Sequence, residues 1–412
     1  MPKCVRAFDW LLEIVGRAFS SWFPRLCLLV LMSGAGGVMA HEGHTDGTGK
    51  VELGASAAAD PQGNLWVVTK ESSLDGQFIT LRMSADLGKT WTVPKRVQQA
   101  PEPIAADGEN RPKLAFGPSG ALYITYTKPL SRPYTGEIRF IRSLDYGRTF
   151  SAPVTVHADK EVITHRFESL IVDRLGRIYI VWIDKRDVET AAARGQKYQG
   201  AALYYAVSSD AGASFRGDYK IADHSCECCR IALALRTDGV PVALWRHVFE
   251  PNIRDHAFVP LPLDGKPPAL TRATFDDWRI DACPHHGPGL AYSDDGKRHQ
   301  VWFNMKNNEG GIFYSSTDLR GAVATTRLGS AQAEHPDVIT NGKQIAVVWK
   351  QFDGKRTAII AYASNDGGET WRQREIAHTQ MVSDQPHLVN AGPVILLLWN
   401  TQDDGVRVIP VR

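Results

Sequence analysis

The chain has 412 residues, with 47 Lys and Arg against 45 Asp and Glu and a formal net charge of +2. Four basic and two acidic residues fall within residues 1–40, so the remainder is close to neutral, without the basic excess of a nucleic-acid-binding domain. Its length admits one large or two ordinary domains at roughly 150 residues each, and repeats must decide between them.

Residues 1–40 read as an export signal. Lys3, Arg6, Arg17 and Arg25 precede or flank the apolar run LCLLVLM, and Val38-Met39-Ala40 offers small or branched residues where a signal peptidase reads. The run is far shorter than the roughly 20 residues needed to span a bilayer, so no membrane insertion is expected after cleavage. Cys27 lies in the run without a lipobox. The expected location is therefore the periplasm or the medium. Residues 41–50 are expected to form a flexible tail that starts His41-Glu42-Gly43-His44. A terminal histidine there can chelate Cu(II) through its amine and imidazole, which makes His41 and His44 weaker metal candidates.

From residue 51 to 412 a single repeating domain is expected. GNLWVVT, GALYITY, GRIYIVW, GVPVALW, GKRHQVW, GKQIAVVW and GPVILLLW begin at Gly63, Gly120, Gly176, Gly239, Gly296, Gly342 and Gly392. Seven units thus follow one another at 46 to 63 residues. Each has an apolar segment before the glycine, a buried strand after it, and a third strand such as ALYYAVS leading to another turn. Short apolar runs bounded by Gly, Asp and Pro indicate strands. Radial repetition of four short antiparallel strands makes a β-propeller, an all-β fold.

The turn after the third strand repeats as SADLGKTW, SLDYGRTF, SSDAGASF and SNDGGETW, from Ser84, Ser143, Ser208 and Ser364, with SSTDLRG near Ser316 as a decayed copy. Asp can accept from backbone N–H groups across such a turn, Gly takes a φ that a Cβ would hinder, and the aromatic residue fills a gap between strands. These residues are structural. The pattern resembles the Asp-box, or BNR, repeat of the sialidase superfamily and covers essentially the whole chain after the signal. The resemblance implies a propeller whose boxes lie away from the active site. Six blades are common in that family, whereas the repeat count favours seven; six with an accessory strand pair is the alternative. The last unit, Gln385 to Arg412, has room for three strands, and the stretch before Asp60 is the candidate for its missing outer strand.

Up-and-down topology puts the starts of the inner strands and the ends of the second strands on one face. The inner strands begin ENRPKL, THRFESL, CECCRIAL, CPHHGPGL, EHPDV and DQPHL, which gathers polar and soft residues at the mouth of the central channel. Cys226, Cys228 and Cys229 of unit four and Cys283, His285 and His286 of unit five meet there as neighbours. His224 and His335 are weaker members. Thiolate with imidazole suits a soft metal, copper before zinc.

The cluster admits three explanations. Disulfides fit an even count in an exported protein, and Cys228 or Cys229 bonded to Cys283 would tie unit four to unit five; Cys226 and Cys228 are too close to bridge without strain. Metal binding is the second. A reactive thiolate, favoured by Arg230 and nearby histidines, is the third.

The resemblance also implies sialidase-type glycoside hydrolysis, in which three arginines clamp a carboxylate, a Tyr/Glu pair supplies the nucleophile and an Asp the acid/base. Arg111, Arg166, Arg230 and Arg246 lie on the appropriate face, but the arginine expected before the first box is missing, and Tyr314 and Tyr362 lead away from that face. Finally, WRHVFEPNIRDHAF, Trp245 to Phe258, stands where unit four would carry its box, and with FDDWRIDACPHH it brings Arg246, Arg254 and Asp255 beside the cysteines. The expected ligand is a metal ion or, on the hydrolase reading, a glycan or other small molecule, with a periplasmic protein as a further partner. A binding propeller with structural disulfides is the non-catalytic alternative.

Overall fold

The computed structural model describes residues 51–411 except 319 and 322. The export signal, the tail and His41 and His44 lie outside the described residues. Seven antiparallel sheets follow one another along the chain, six of four strands and the last of three. Their strand order is sequential throughout, as hairpin-connected blades require. The inner strands Ser56–Ala59, Lys113–Phe116, His165–Val172, Ala232–Leu235, Gly289–Tyr292, Ala333–Asn341 and His387–Ala391 each neighbour the next, and the last returns to the first. The molecule is a seven-bladed β-propeller.

Burial follows distance from the blade edge. The second strand Ile178–Asp184 is buried at every position, as is Pro241–Arg246, whereas the outer strand Arg216–Ser225 begins exposed. Strands covered by neighbouring blades on both faces carry near-continuous apolar runs, hence IYIVW and ILLLW. The aromatic residue that ends every repeat but the first becomes a buried core residue, with Trp182, Trp245, Trp349 and Trp399 among the largest fully buried side chains. Each buries enough apolar surface to contribute about 3 kcal/mol, so truncating one would destabilise the ring severely.

The turns after the third strands share one geometry. Gly88, Gly147, Gly212 and Gly368 each donate a backbone N–H to the serine Oγ four residues earlier, at 2.8 Å in all four. The aspartates accept from the backbone of Thr90, Thr149, Ser214 and Thr370 at 2.8 to 3.0 Å. Side-chain bonds from those hydroxyls, then the backbone bonds, hold Asp86 and Asp210 down to about 2. The aromatic position bridges blades: Phe215 sets its edge on Phe140 of blade 2 at 4.9 Å, and Trp371 meets Tyr314 of blade 5 at 5.2 Å.

Three expectations change. Among the described residues, those before Asp60 do not complete the last blade; Ser56–Ala59 is the inner strand of blade 1. The segment after Trp245 does not replace the box turn, because residues 247–255 join the second strand Pro241–Arg246 to the third strand His256–Pro260 on the mouth face. A helix, Arg186–Ala193, follows the second strand of blade 3, its first N–H held by Asp184 Oδ1 at 2.9 Å. Among the described residues no helix is long and apolar enough to cross a membrane.

Candidate metal and thiol site

The mouth segments of blades 4 and 5 lie against one another. The Cys226 N–H donates to Arg246 O at 2.9 Å, and the Val248 N–H to His224 O at 2.7 Å, so HSCECC runs beside the exit of blade 4's second strand. From blade 5, CPHHGP packs so closely that a Cβ on Gly287 would lie 2.3 Å from Arg230 Cβ and 2.4 Å from Arg230 N. That approach is what the glycine permits. Arg230 Nε then donates to Pro288 O at 2.9 Å.

The four cysteines of the described residues all meet there. Cys226 is bonded to Cys229 and Cys228 to Cys283, and Cys226 Sγ lies 3.6 Å from Cys283 Sγ. The second disulfide ties blade 4 to blade 5. Disulfides therefore account for every cysteine among the described residues, because Cys226 reaches one residue beyond Cys228 and avoids the strained pairing. Cys226, Cys228 and Cys229 are buried. The Cys228–Cys283 side faces a cleft of about 270 Å³ whose wall includes Arg166, Lys185, Glu227 and His285. Lys185 is ion-paired with Glu227. Backbone at positive φ marks this rim: Phe167 at 58°, His224 at 57° and His285 at 57°. Such conformations cost non-glycine residues roughly 1–3 kcal/mol and persist where surrounding structure imposes them.

Of the six expected ligands, four fall into two separate groups, and Cys229 and His285 belong to neither. Sulfur atoms of Cys226, Cys228 and Cys283 lie within 4.8 Å of one another, and so do donor atoms of His286, Glu334 and His335. His286 packs on Phe303 and His335, with ring centroids 4.3 and 4.7 Å away. Burial holds both imidazoles well below the ordinary histidine range, so they are neutral. His224 turns elsewhere, its Nδ1 on Gln199 O at 3.0 Å and its ring against Tyr198. Glu334 was not foreseen, although EHPDV places it beside His335 at the start of an inner strand.

The four arginines are engaged by the scaffold. Arg111 is buried, with Nη1 2.7 Å from Asp384 Oδ2 and 2.9 Å from Ala55 O. Arg246, also buried, donates to Arg254 O, His286 O and Phe303 O at 2.8, 3.1 and 2.6 Å. Arg230 lies 3.4 Å from Glu109 and 3.9 Å from Asp337. Arg166 reaches Asn110 Oδ1 at 2.8 Å once that amide is oriented to satisfy its neighbours. Arg111 and Arg230 border a central cavity of about 230 Å³, Arg166 borders the cysteine cleft, and Arg246 borders neither. Asp255 is buried and ion-paired with Arg272, whose Nε lies 3.0 Å from Asp255 Oδ2, and Arg254 Nε donates to Asn252 Oδ1 at 3.1 Å.

Fold and turns together define a seven-bladed β-propeller with recurrent Ser-x-Asp-x-Gly turns on one face and a cysteine cluster at its mouth. No family model matches the chain, and no curated protein matches it. Among solved structures, a PL25 ulvan lyase aligns over 86% of this chain and 91% of its own, with 11% identity and a TM-score of 0.51. The polysaccharide lyase Uly1 aligns over 91% and 93%, with 8% identity and a TM-score of 0.56. The NanB sialidase from Streptococcus pneumoniae aligns over 74% and 67%, with 8% identity and a TM-score of 0.45. At these identities the lyases share this chain's fold, and nothing about its chemistry follows from them.

Proposed function

We propose that the protein is an exported propeller whose mouth-face cysteines form a thiol-gated site for a soft ion, Cu(I) before Zn(II). The observation that carries this is the convergence of three sulfurs, from Cys226, Cys228 and Cys283, within 4.8 Å of one another beside a cleft. Oxidised, the four cysteines form two disulfides and offer no thiolate. Two equivalents of a dithiol reductant, each giving two electrons and two protons as it closes to its own disulfide, convert them to four thiols, and three thiolates then suit a soft cation, with up to three protons released on binding. Arg166 and Lys185 on the cleft wall favour the thiolate form. The sialidase-type alternative draws no support from Arg111, Arg166, Arg230 and Arg246, since a clamp needs guanidinium donors free for a carboxylate.

The test is Cu(I) titration of the fully reduced protein against a chromophoric chelator, with Zn(II) as the comparator. One equivalent of Cu(I) is expected on the reduced protein and none on its sulfurs when oxidised. Cys228→Ser/Cys283→Ser should weaken binding by roughly 100-fold or more, beyond what loss of a supporting hydrogen bond causes. Equal Cu(I) affinity in that variant, or no binding by the reduced protein, overturns the reading. Export is checked by sequencing the N-terminus of protein from the periplasmic fraction, which should begin at His41.

A further inference from the structure

We infer that His286, Glu334 and His335 form a second cation site, for a borderline divalent ion such as Zn²⁺ or Cu²⁺, independent of the redox state of the cysteines. It goes beyond the thiol site, with which it shares no donor atom.

Two observations converge on it. One donor atom from each residue lies within 4.8 Å of the others, although His286 comes from blade 5 and the other two from blade 6. Nδ1 of His286 and Nδ1 of His335 are both enclosed by protein without a hydrogen-bond partner. Buried nitrogens of that kind are costly, and coordination to a metal is one way to satisfy them.

The surroundings fix these donors. Arg246 donates to the carbonyls of His286 and Phe303, and the Phe303 ring packs on the His286 ring. On blade 6 the strand register shifts between Glu334 and Asp337, and His335 takes φ +50°. Bulges re-aim side chains in this way near sites. Glu334 Oε1 faces Lys350 Nζ at 3.4 Å, while Oε2 lies 3.8 Å from His335 Nε2. Lys350 thus holds one carboxylate oxygen and leaves the other toward the histidines. Two imidazoles and a carboxylate suit a borderline ion and leave a coordination position for an outside ligand.

The experiment uses metal-free, fully oxidised protein, shown to contain no free thiol, titrated calorimetrically with Zn²⁺ and separately with Cu²⁺. One equivalent of at least one ion is expected, with an X-ray absorption spectrum showing only nitrogen and oxygen neighbours. His286→Ala and His335→Ala should each weaken binding by roughly 100-fold or more, and Glu334→Gln, at a more exposed side chain, by roughly 10–100-fold. Cys228→Ser/Cys283→Ser should bind normally, which separates this site from the thiol site. Circular dichroism of each variant reports folding, and Glu334→Gln carries the test if a histidine variant does not fold. Absence of stoichiometric binding to the oxidised protein, sulfur in the coordination shell, or undiminished affinity in folded Glu334→Gln overturns the proposal.

Discussion

The two faces of the propeller are built on opposite rules. On the turn face, Ser84, Ser143, Ser208 and Ser364 each accept the N–H of a glycine four residues on at the same 2.8 Å. On the mouth face no two blades agree: blade 2 enters through Asn110-Arg111, blade 4 through CECC, blade 5 through CPHHGP and blade 6 through EHPD. A turn that must reverse the same strand pair has one local solution, so it recurs. A face that only has to enter a strand is free to vary, and the chemistry-bearing residues gather there.

The sharpest way to break this contrast is to cut its cross-links. Closing a loop of 55 residues restricts the unfolded chain more than closing one of 3. Cys228→Ser/Cys283→Ser should therefore cost about 4 kcal/mol and Cys226→Ser/Cys229→Ser about 2 kcal/mol by chain entropy. Urea unfolding of the oxidised proteins measures both. Equal losses would mean that the long link does not constrain blade 5 against blade 4.

A paired glycine substitution comes next in size. Gly287→Ala places a Cβ against the backbone of Arg230, and such overpacking costs about 1–3 kcal/mol. Gly63→Ala meets no atom within 4 Å and suffers only from its φ of +85°, at about 1 kcal/mol. Denaturation midpoints that rank them the other way would show that the mouth segments can separate.

Acid should distinguish the faces by pH window. Burial, the largest cause, holds His247 on the mouth face down to about 4. The unfolded chain takes up that proton below about 6.5 while the native state does not, so stability falls as pH drops from about 6.5 to about 4 and then levels. Asp86 and Asp210 on the turn face lie at about 2. Their contribution is present above about 4 and is lost as pH falls toward 2. Urea midpoints between pH 7 and 2 should show a shallower first slope in His247→Leu, with the other buried histidines keeping their share, and a softened second slope alone in Asp86→Asn. A single change that flattens both windows would remove the distinction.

Much of the scaffold was legible in the residues. Gly176 followed by IYIVW announced a buried second strand, and Ser208-x-Asp210-x-Gly212 announced the turn, because strand alternation and turn closure are settled within a few residues. The site was legible in location only. CECC and CPHH were brought to adjacent blades by repeat arithmetic, yet nothing in their spacing separated Cys226–Cys229 from other pairings or divided the sulfurs from His286 and His335. Glu334 escaped notice because a glutamate beside a histidine is unremarkable until a neighbouring blade brings a second histidine to it. Arg246 looked like a surface cation and proved to be a buried donor to three carbonyls, a role that needs strands from two blades.

The sequence by itself determined the repeating strand pattern, the recurrent turns and the face on which soft ligands gather, since each depends on contacts a few residues apart. Only the tertiary structure decided that Ser56–Ala59 opens the ring, that Cys228 finds Cys283 across 55 residues, and that His286 meets Glu334 and His335. Those partners are set by the rotation from one blade to the next, a property of the closed ring as a whole.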